Sequence, residues 1–591
     1  MTIDTLVGFN GIAREGRLAP VLVTLDSPGP SRNVEVRLTL AWGSSLRGNQ
    51  GARNFVRSVI LTPGATRRLS FVVPLKGDAR SLTVSVVDGD EVLATDRLDL
   101  RDVMTRRMLI VAVSSDYAFD ALAGLGGSEA ARVAYPRAED LPDAWAGYDG
   151  ADMVIVHDTY GLTVGVAQAE ALRDWVVRGG TLVFTGGVAA LQQASAGFGA
   201  LLPVEVTGTR GGTDVGAVGA LVGSRRGPRG TAVIAETRLV SGRVLADAGG
   251  APLVVDRALG RGHVWFLAFD PTMAPFDGWG GTLSLWRLVR DRGPRSVPEE
   301  DPRTPLDDQL LSAMLGSPPL GFPSVVVLLA FTALYVAGLV VLVFAPFARR
   351  MGARPRVALL VAFPVAGCLA AWLLFGRLLL PSAPRVLDAA VVATRSGDGL
   401  AVVTERIAIS ATRPADCVVT WPSRQLVVDE KAAATGAGGG ALTVATTVGT
   451  SLQGVHLPRF GFRLLVVTDV VPFRVTARVS GDPRDAALAV SNGGDRALRD
   501  CFLWVNGKGY TLGDVDAGET VTRRVTKPDT SGALIDDARR AALWDVESAG
   551  LEGTRPMLVG WIEGPALPSV IEGAVPTPGR PALTLVLVEA Q

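Results

Sequence analysis

Cysteine and histidine are scarce in this chain. Of 591 residues only three are cysteine, and none precedes Cys368. The first 367 residues therefore hold no thiolate nucleophile. Three histidines are too few for a histidine-rich metal site, and no metal or other cofactor is expected. Net charge is also lacking: 58 basic residues balance 58 acidic ones, so composition gives no pull towards nucleic acid. No Walker sequence, serine elbow or zincin motif occurs. Gly124-Leu125-Gly126-Gly127 does not make a dinucleotide fingerprint, because Glu129 stands where the third glycine belongs. No repeat of fixed period is visible.

The longest absence is of charge. No charged residue lies between Asp308 and Arg349, and Val325 to Phe347 is almost wholly apolar. A turn at 349–356 carries four arginines and no acid. A second apolar run covers Val357 to Phe375, with Arg377 close behind. Both runs exceed the roughly 18 residues that separate a spanning helix from a core helix. Residues 321–381 thus read as a two-helix transmembrane hairpin, and a buried helical hairpin is the alternative. Neither run has an ionisable group at mid-depth, which argues against an ion pathway. Gly338, Ala366, Gly367 and Ala370 offer small packing surfaces.

The positive-inside rule puts the 349–356 turn in the cytoplasm and both flanking regions on the outer (periplasmic or extracellular) side. The acids Glu299, Glu300, Asp301, Asp307 and Asp308 before the first run agree with this. Met1 to Gly8 has neither a basic nor an apolar leader segment, so the outer placement calls for a signal upstream, beyond or removed from the sequence given. The rival placement, with both regions cytoplasmic, needs no signal but violates the charge rule.

Residues 1–104 alternate apolar and polar with period two, as in Val34 to Leu40 and Val21 to Leu25. Turn residues such as Pro63-Gly64 and Asp88-Gly89 separate the runs. This predicts a β-sandwich of immunoglobulin-like type. From 105 to 292 the pattern changes. Met108 to Val113, Met153 to Val156 and Thr181 to Phe184 are short continuous apolar runs, the mark of buried parallel strands. A helix over Val166 to Arg178 stops at Gly179-Gly180. Strand and helix alternate, which predicts a doubly wound α/β domain of flavodoxin-like type. Gly208 to Gly219 is expected to be a mobile loop. Residues 293–320 form a Pro-rich acidic linker. Residues 386–591 return to β structure, in one or two domains. There Asn506-Gly507 signals a hairpin, Gly436 to Gly440 a loop and Asp536 to Trp544 a helix. Cys417 and Cys501 are either a disulfide or two buried free thiols.

The run from Tyr148 through Gly187, with the later Gly260 to Pro271, resembles the class I glutamine amidotransferase-like fold. It is similar to the divergent version in large bacterial membrane proteins whose function is uncharacterised. Those proteins join a β-sandwich, an amidotransferase-like domain, membrane helices and further β structure, and accompany membrane systems with MoxR-type ATPases and von Willebrand-type domains. Active enzymes of that fold use a cysteine on a strand-to-helix elbow with a histidine and a glutamate. This chain has no such cysteine, and neither His157 nor His263 sits in a His-x-Glu pair. The resemblance implies a catalytically silent domain.

One ligand cleft is predictable from topology. His157 and Asp158 follow one strand, Thr185, Gly186 and Gly187 end its neighbour, and Asp270 follows a third. The amides of Gly186 and Gly187 are placed to receive an anion. Two roles are open for these side chains: capping strand ends, or serving as a His157/Thr185/Asp270 hydrolase. The expectation is a non-enzymatic bacterial envelope protein of the cytoplasmic membrane, binding the lipid bilayer and other envelope or membrane proteins, not nucleic acid. The alternatives are that hydrolase and an accessory subunit of a membrane transporter.

Overall fold

A computed structural model describes residues 1–293, 325–344, 353–374 and 383–590. Within these, 45–48, 76–77, 115, 128, 161–162, 424, 432–441, 447–448, 460, 481–485, 506–507, 526–555 and 577–582 are not described. The predicted features at 294–320, 349–352, Arg377, 436–440, 506–507 and 536–544 lie outside the described residues. The protein is mostly β-sheet, in several sheets with few helices.

The N-terminal region puts alternation to direct use. Thr2–Val7, Leu18–Asp26 and Thr66–Pro74 form one antiparallel sheet. Arg32–Ser44, Asn49–Leu61, Ala79–Asp88 and Glu91–Asp99 form the facing layer. Every second residue points inward, so Val21, Val23 and Leu25 meet Val36, Leu38, Leu82 and Val84 in one core.

The second layer does not end with that region. Leu442–Thr446 adds in parallel to Asn49–Leu61, pairing Leu442 with Arg53 and Val444 with Phe55. Thr450–Leu457, Ala415–Trp421 and Val570–Ile571 continue the same sheet to eight strands. The predicted boundary at residue 104 is thus a boundary in sequence but not in sheet. Chain before the apolar helices and chain after them share one hydrogen-bonded layer.

Between these regions lies a seven-stranded sheet. Its order is Arg132–Ala134, Leu109–Val113, Met153–Val156, Thr181–Thr185, Gly262–Leu267, Ala251–Leu259 and Arg243–Ala248. The pairings from the first to Gly262–Leu267 are parallel, and the last two antiparallel. Every residue of Leu109–Val113 and of Thr181–Thr185 is buried, the outcome of covering both faces. Helix Val166–Arg178 starts where the Gln168 side chain accepts the Gly165 N–H. It stops at Gly179, whose φ of 129° suits glycine and whose N–H returns to Trp175 and Val176 carbonyls. Thr282–Arg292 is the other long helix here.

The expected mobile loop at Gly208–Gly219 is instead mostly strand. Val204–Asp214 pairs with Thr231–Leu239 as a two-stranded arm, and Ala217–Leu221 is helical. Its strand is largely exposed, so it carries no apolar alternation. Cross-strand ion pairs, Arg210 to Glu236 and Arg238 to Glu205, take the place of packed side chains.

The C-terminal region is built on a second large sheet running from Val427–Lys431 through Leu400–Ala411 and Arg385–Arg395 to Lys508–Val515. A smaller sheet of Val475–Ser480, Ala486–Asn492 and Thr520–Val525 accompanies it. Cys417 and Cys501 are buried free thiols, so of the two readings the structure has the unbonded one.

Two apolar helices complete the chain. Val325–Phe344 has a mean hydropathy of 2.8, is not buried anywhere, and is long and apolar enough to cross a membrane. Ala353–Leu373 begins with the arginines of the basic segment and has a shorter apolar part, Val357–Leu373. The helices touch through small residues. Tyr335 stacks on Phe363 with ring centroids 5.5 Å apart. A Cβ at Gly367 would lie 2.5 Å from the Tyr335 ring, and one at Gly338 2.7 Å from the Phe363 ring. Gly367→Leu is therefore expected to force the helices apart and cost about 1–3 kcal/mol of overpacking. Melting in detergent checks this, with Val361→Leu on an exposed face as the unchanged control.

Candidate functional site

The carboxyl ends of the parallel strands bring the predicted residues together. His157 follows Met153–Val156 and Thr185 closes Thr181–Thr185, so the parallel register sets them side by side. His157 Nδ1 and Thr185 Oγ1 are 2.6 Å apart. On the other side of the imidazole, Nε2 lies 3.8 Å from Asp270 Oδ2. The Phe119 ring meets the imidazole edge-on, with centroids 5.1 Å apart. Connectivity alone is that of hydroxyl, base and acid.

Access is not. Thr185 is 0% exposed and His157 7%, so the hydroxyl is sealed beneath the strand ends. Asp270 is the more exposed member, and its Oδ1 is occupied by the backbone N–H and hydroxyl of Thr272. Asp158 Oδ1 accepts the Tyr160 N–H in a local turn.

The anion site expected at Gly186 and Gly187 does not form. Gly186 N–H donates to the Phe269 carbonyl at 3.1 Å, and Gly187 N–H to the Ala268 carbonyl at 3.0 Å. Both amides are consumed in tying two strand ends together. Glycine is required at 186, because a Cβ there would lie 2.4 Å from the Ala268 carbonyl carbon.

Sequence reasoning missed Gln193. Its Nε2 donates to the Thr185 carbonyl at 2.6 Å and to the His157 carbonyl at 3.3 Å. It staples the same strand ends from a short helix with no motif to announce it. Thr159 Oγ1 and Gln193 Oε1 are buried here without a hydrogen-bond partner. Thr185→Val should leave the buried Nδ1 without its partner, destabilising the chain by about 1–3 kcal/mol. Thermal melting checks this.

A second histidine, His263, pairs through Nδ1 with Asp256 Oδ1 at 2.7 Å, away from this cluster. Among the described residues no group of three or more His, Cys, Asp and Glu is arranged to hold a metal ion. The two buried thiols, Cys417 and Cys501, are unreactive in character. Burial, with the nearby Asp514 and Asp500, pushes Cys501 up to about 12, and burial raises Cys417.

Comparison with known proteins gives two partial family matches. Residues 1–101 match a domain of unknown function (DUF8726), and residues 475–588 match another (DUF8725). A search of curated proteins finds no match. Among solved structures, the exo-β-1,4-mannosidase Op5Man5 from Opitutaceae bacterium strain TAV5 is 16% identical, with a TM-score of 0.22. That match covers 31% of this chain and 35% of the mannosidase. The yeast δ-COP-I μ-homology domain, solved with a Dsl1 WxWxV peptide, is 9% identical over 36% of this chain and 96% of its own, with a TM-score of 0.21. The E. coli curli protein CsgC is 18% identical over 16% of this chain and 97% of its own, with a TM-score of 0.12. At these scores the likeness does not extend to a shared overall fold.

Proposed function

We propose that this chain is a membrane-anchored scaffold of the bacterial envelope. It holds its two β-rich regions and a catalytically silent, amidotransferase-like central unit on the outer face of the cytoplasmic membrane. Val325–Phe344 and Ala353–Leu373 cross as a hairpin, with the 349–356 turn in the cytoplasm. The observation that carries this is the shared sheet. Because Leu442–Thr446 pairs with Asn49–Leu61, the chain before the helices and the chain after them occupy the same side of any membrane the helices cross. That requires an even number of crossings, and a hairpin supplies two. The four arginines at 349–356 then select the side.

Silence of the central unit is supported by chemistry. No cysteine precedes Cys368, the Thr185 hydroxyl is sealed, and the Gly186 and Gly187 amides are spent on carbonyls. The convergence of His157, Thr185 and Asp270 favours a second reading, a hydrolase, but the exposed side of the trio offers only a carboxylate. A scaffold acts through its partners, so its ligands are other envelope or membrane proteins.

Topology is tested by single engineered cysteines in the 349–356 turn and on the C-terminal surface, probed with a membrane-impermeant thiol reagent on spheroplasts. The native thiols at 417 and 501 are buried and stay dark. Labelling at the C-terminal position and none at the turn is the expected result. Labelling of the turn alone reverses the orientation.

A further inference from the structure

We infer that the carboxyl end of the central parallel sheet is a docking face for a basic amphipathic segment of a partner protein. This gives the scaffold reading a surface and a partner chemistry, and it rests on that reading in taking the occupant to be a protein. Four neighbouring strands, Leu109–Val113, Met153–Val156, Thr181–Thr185 and Gly262–Leu267, run parallel and end together. With about 4.8 Å between neighbours, the loops that follow them stand in a row roughly 15 Å long. A helical segment of about ten residues has the same length.

Each loop in the row holds a large apolar side chain out to solvent. Tyr117 follows the first strand and Tyr160 the second, Val188 and Leu191 follow the third, and Met273 follows the fourth. Tyr117 and Tyr160 are 73% and 77% exposed, and outside the two apolar helices they are the exposed aromatic side chains among the described residues. The mounts beneath are fixed. Tyr117 meets Tyr135 edge-on with centroids 4.9 Å apart, and the Met273 N–H donates to the Asp270 carbonyl at 3.4 Å. The His157 cluster touches all four loops or strand ends, through Phe119, His157 itself, Thr185 and Asp270. The buried trio thus has a use without catalysis. It sets the loops in place, so that a partner orders little on binding.

Charge names the occupant. The four loops, 114–131, 157–165, 186–203 and 268–281, contain six acids and no lysine or arginine, in a chain whose acids and bases balance. Asp116, Asp120 and Asp270 accept from hydroxyls and backbone amides and have no lysine or arginine partner among the described residues. Bases stand at the margins: Arg137 is paired with Glu139, and Arg226 and Arg229 border Trp279. An apolar row set among unneutralised acids suits lysines or arginines around apolar anchors. A second copy would bring the same acids against these, and an anionic lipid surface would be repelled.

The test is fluorescence anisotropy of a labelled peptide of about 14 residues, leucine on one helical face and lysine on the other, titrated with the full chain in neutral detergent. Binding to empty micelles is subtracted. Saturable binding is expected, weakened at least about tenfold in Tyr117→Ser/Tyr160→Ser and about threefold in Asp116→Asn/Asp120→Asn. The exposed Val92→Ser, on the N-terminal sheet, should bind as the parent does. All these side chains are exposed, and unchanged melting curves show that the variants are folded. No saturable binding up to about 100 μM chain overturns the inference. So does equal binding of a peptide with glutamate in place of lysine, or a tyrosine variant that binds like the parent. Concentration-dependent self-association that Tyr117→Ser/Tyr160→Ser abolishes would give the face to a second copy and overturn it likewise. None of these outcomes alters the thiol labelling, which tests the membrane reading separately.

Discussion

Melting temperature of the intact chain is expected to fall as pH rises from about 6.5 to 8.5, and Glu405→Gln is expected to abolish most of that fall. Glu405 lies in Leu400–Ala411, in the middle of the C-terminal sheet, and is 0% exposed. Its Oε2 accepts the Leu567 N–H at 3.0 Å, while Oε1 has no partner. Asp388 lies on the same face of the sheet, because its strand neighbour Ala390 pairs directly with Glu405. Burial, then the Asp388 charge, raises Glu405 from 4.5 to about 8. Burial alone raises Asp388 from 3.8 to about 6.

The folded chain thus holds a proton at Glu405 that the unfolded chain releases above pH 4.5. Stability from this group is complete below that value and is lost progressively up to about pH 8. A shift of this size corresponds to roughly 5 kcal/mol. Asp388 completes its own loss by about pH 6, so the window from 6.5 to 8.5 isolates Glu405. Glutamine keeps the acceptor for Leu567 and removes the charge. It leaves one amide donor unsatisfied, so the slope with pH is the diagnostic, not the absolute melting point. A parent chain whose melting point is flat over this window would refute the assignment.

What could be read from the sequence was what is local. Val166–Arg178 and its Gly179 stop appear as read, because a helical stripe and a left-handed glycine are properties of adjacent residues. The strands at Leu109–Val113 and Met153–Val156 follow from unbroken apolar runs. Partner choice was not legible. Nothing within Leu442–Thr446 names Asn49–Leu61 as its neighbour, although Leu442 pairs with Arg53 across most of the intervening sequence. The Gly-rich arm was misread because an exposed strand pair needs no apolar alternation. The spent amides of Gly186 and Gly187 were invisible for the same reason: the carbonyls that take them belong to Ala268 and Phe269, on another strand's end. Glu405 did carry a signal, a lone acid inside the apolar run Val402 to Ala411 with inward neighbours on both sides. The charged Arg406 beside it hid that signal, since the pair looks like an ordinary solvated face.

The non-local seam yields the second large effect. Val444→Pro is expected to loosen the N-terminal and central regions from the rest of the chain. Leu442–Thr446 is an interior strand, paired on one side with Asn49–Leu61 and on the other with Thr450–Leu457. Val444 sits opposite both Phe55 and Leu452 and packs against the cores of both the N-terminal and the C-terminal regions. Proline has no N–H for the ladder and its ring does not fit inside a sheet, a penalty of about 3 kcal/mol or more. Other contacts cross the same seam, among them Arg53 Nη1 to the Val428 carbonyl and Gly260 N–H to Asp398. Release should therefore be partial. Cutting an engineered protease site within 294–320 removes the covalent link between residues 1–293 and the helices. In the parent the cut fragment should stay with the membrane fraction, held by the shared sheet. In Val444→Pro its dissociation constant should rise about a hundredfold, and much of it should wash off. Val444→Thr keeps the β-branched shape and the N–H, and should retain the fragment. Equal retention in the proline variant would mean that the seam is dispensable. The common-side argument would then rest on the contacts at Arg53 and Asp398 instead.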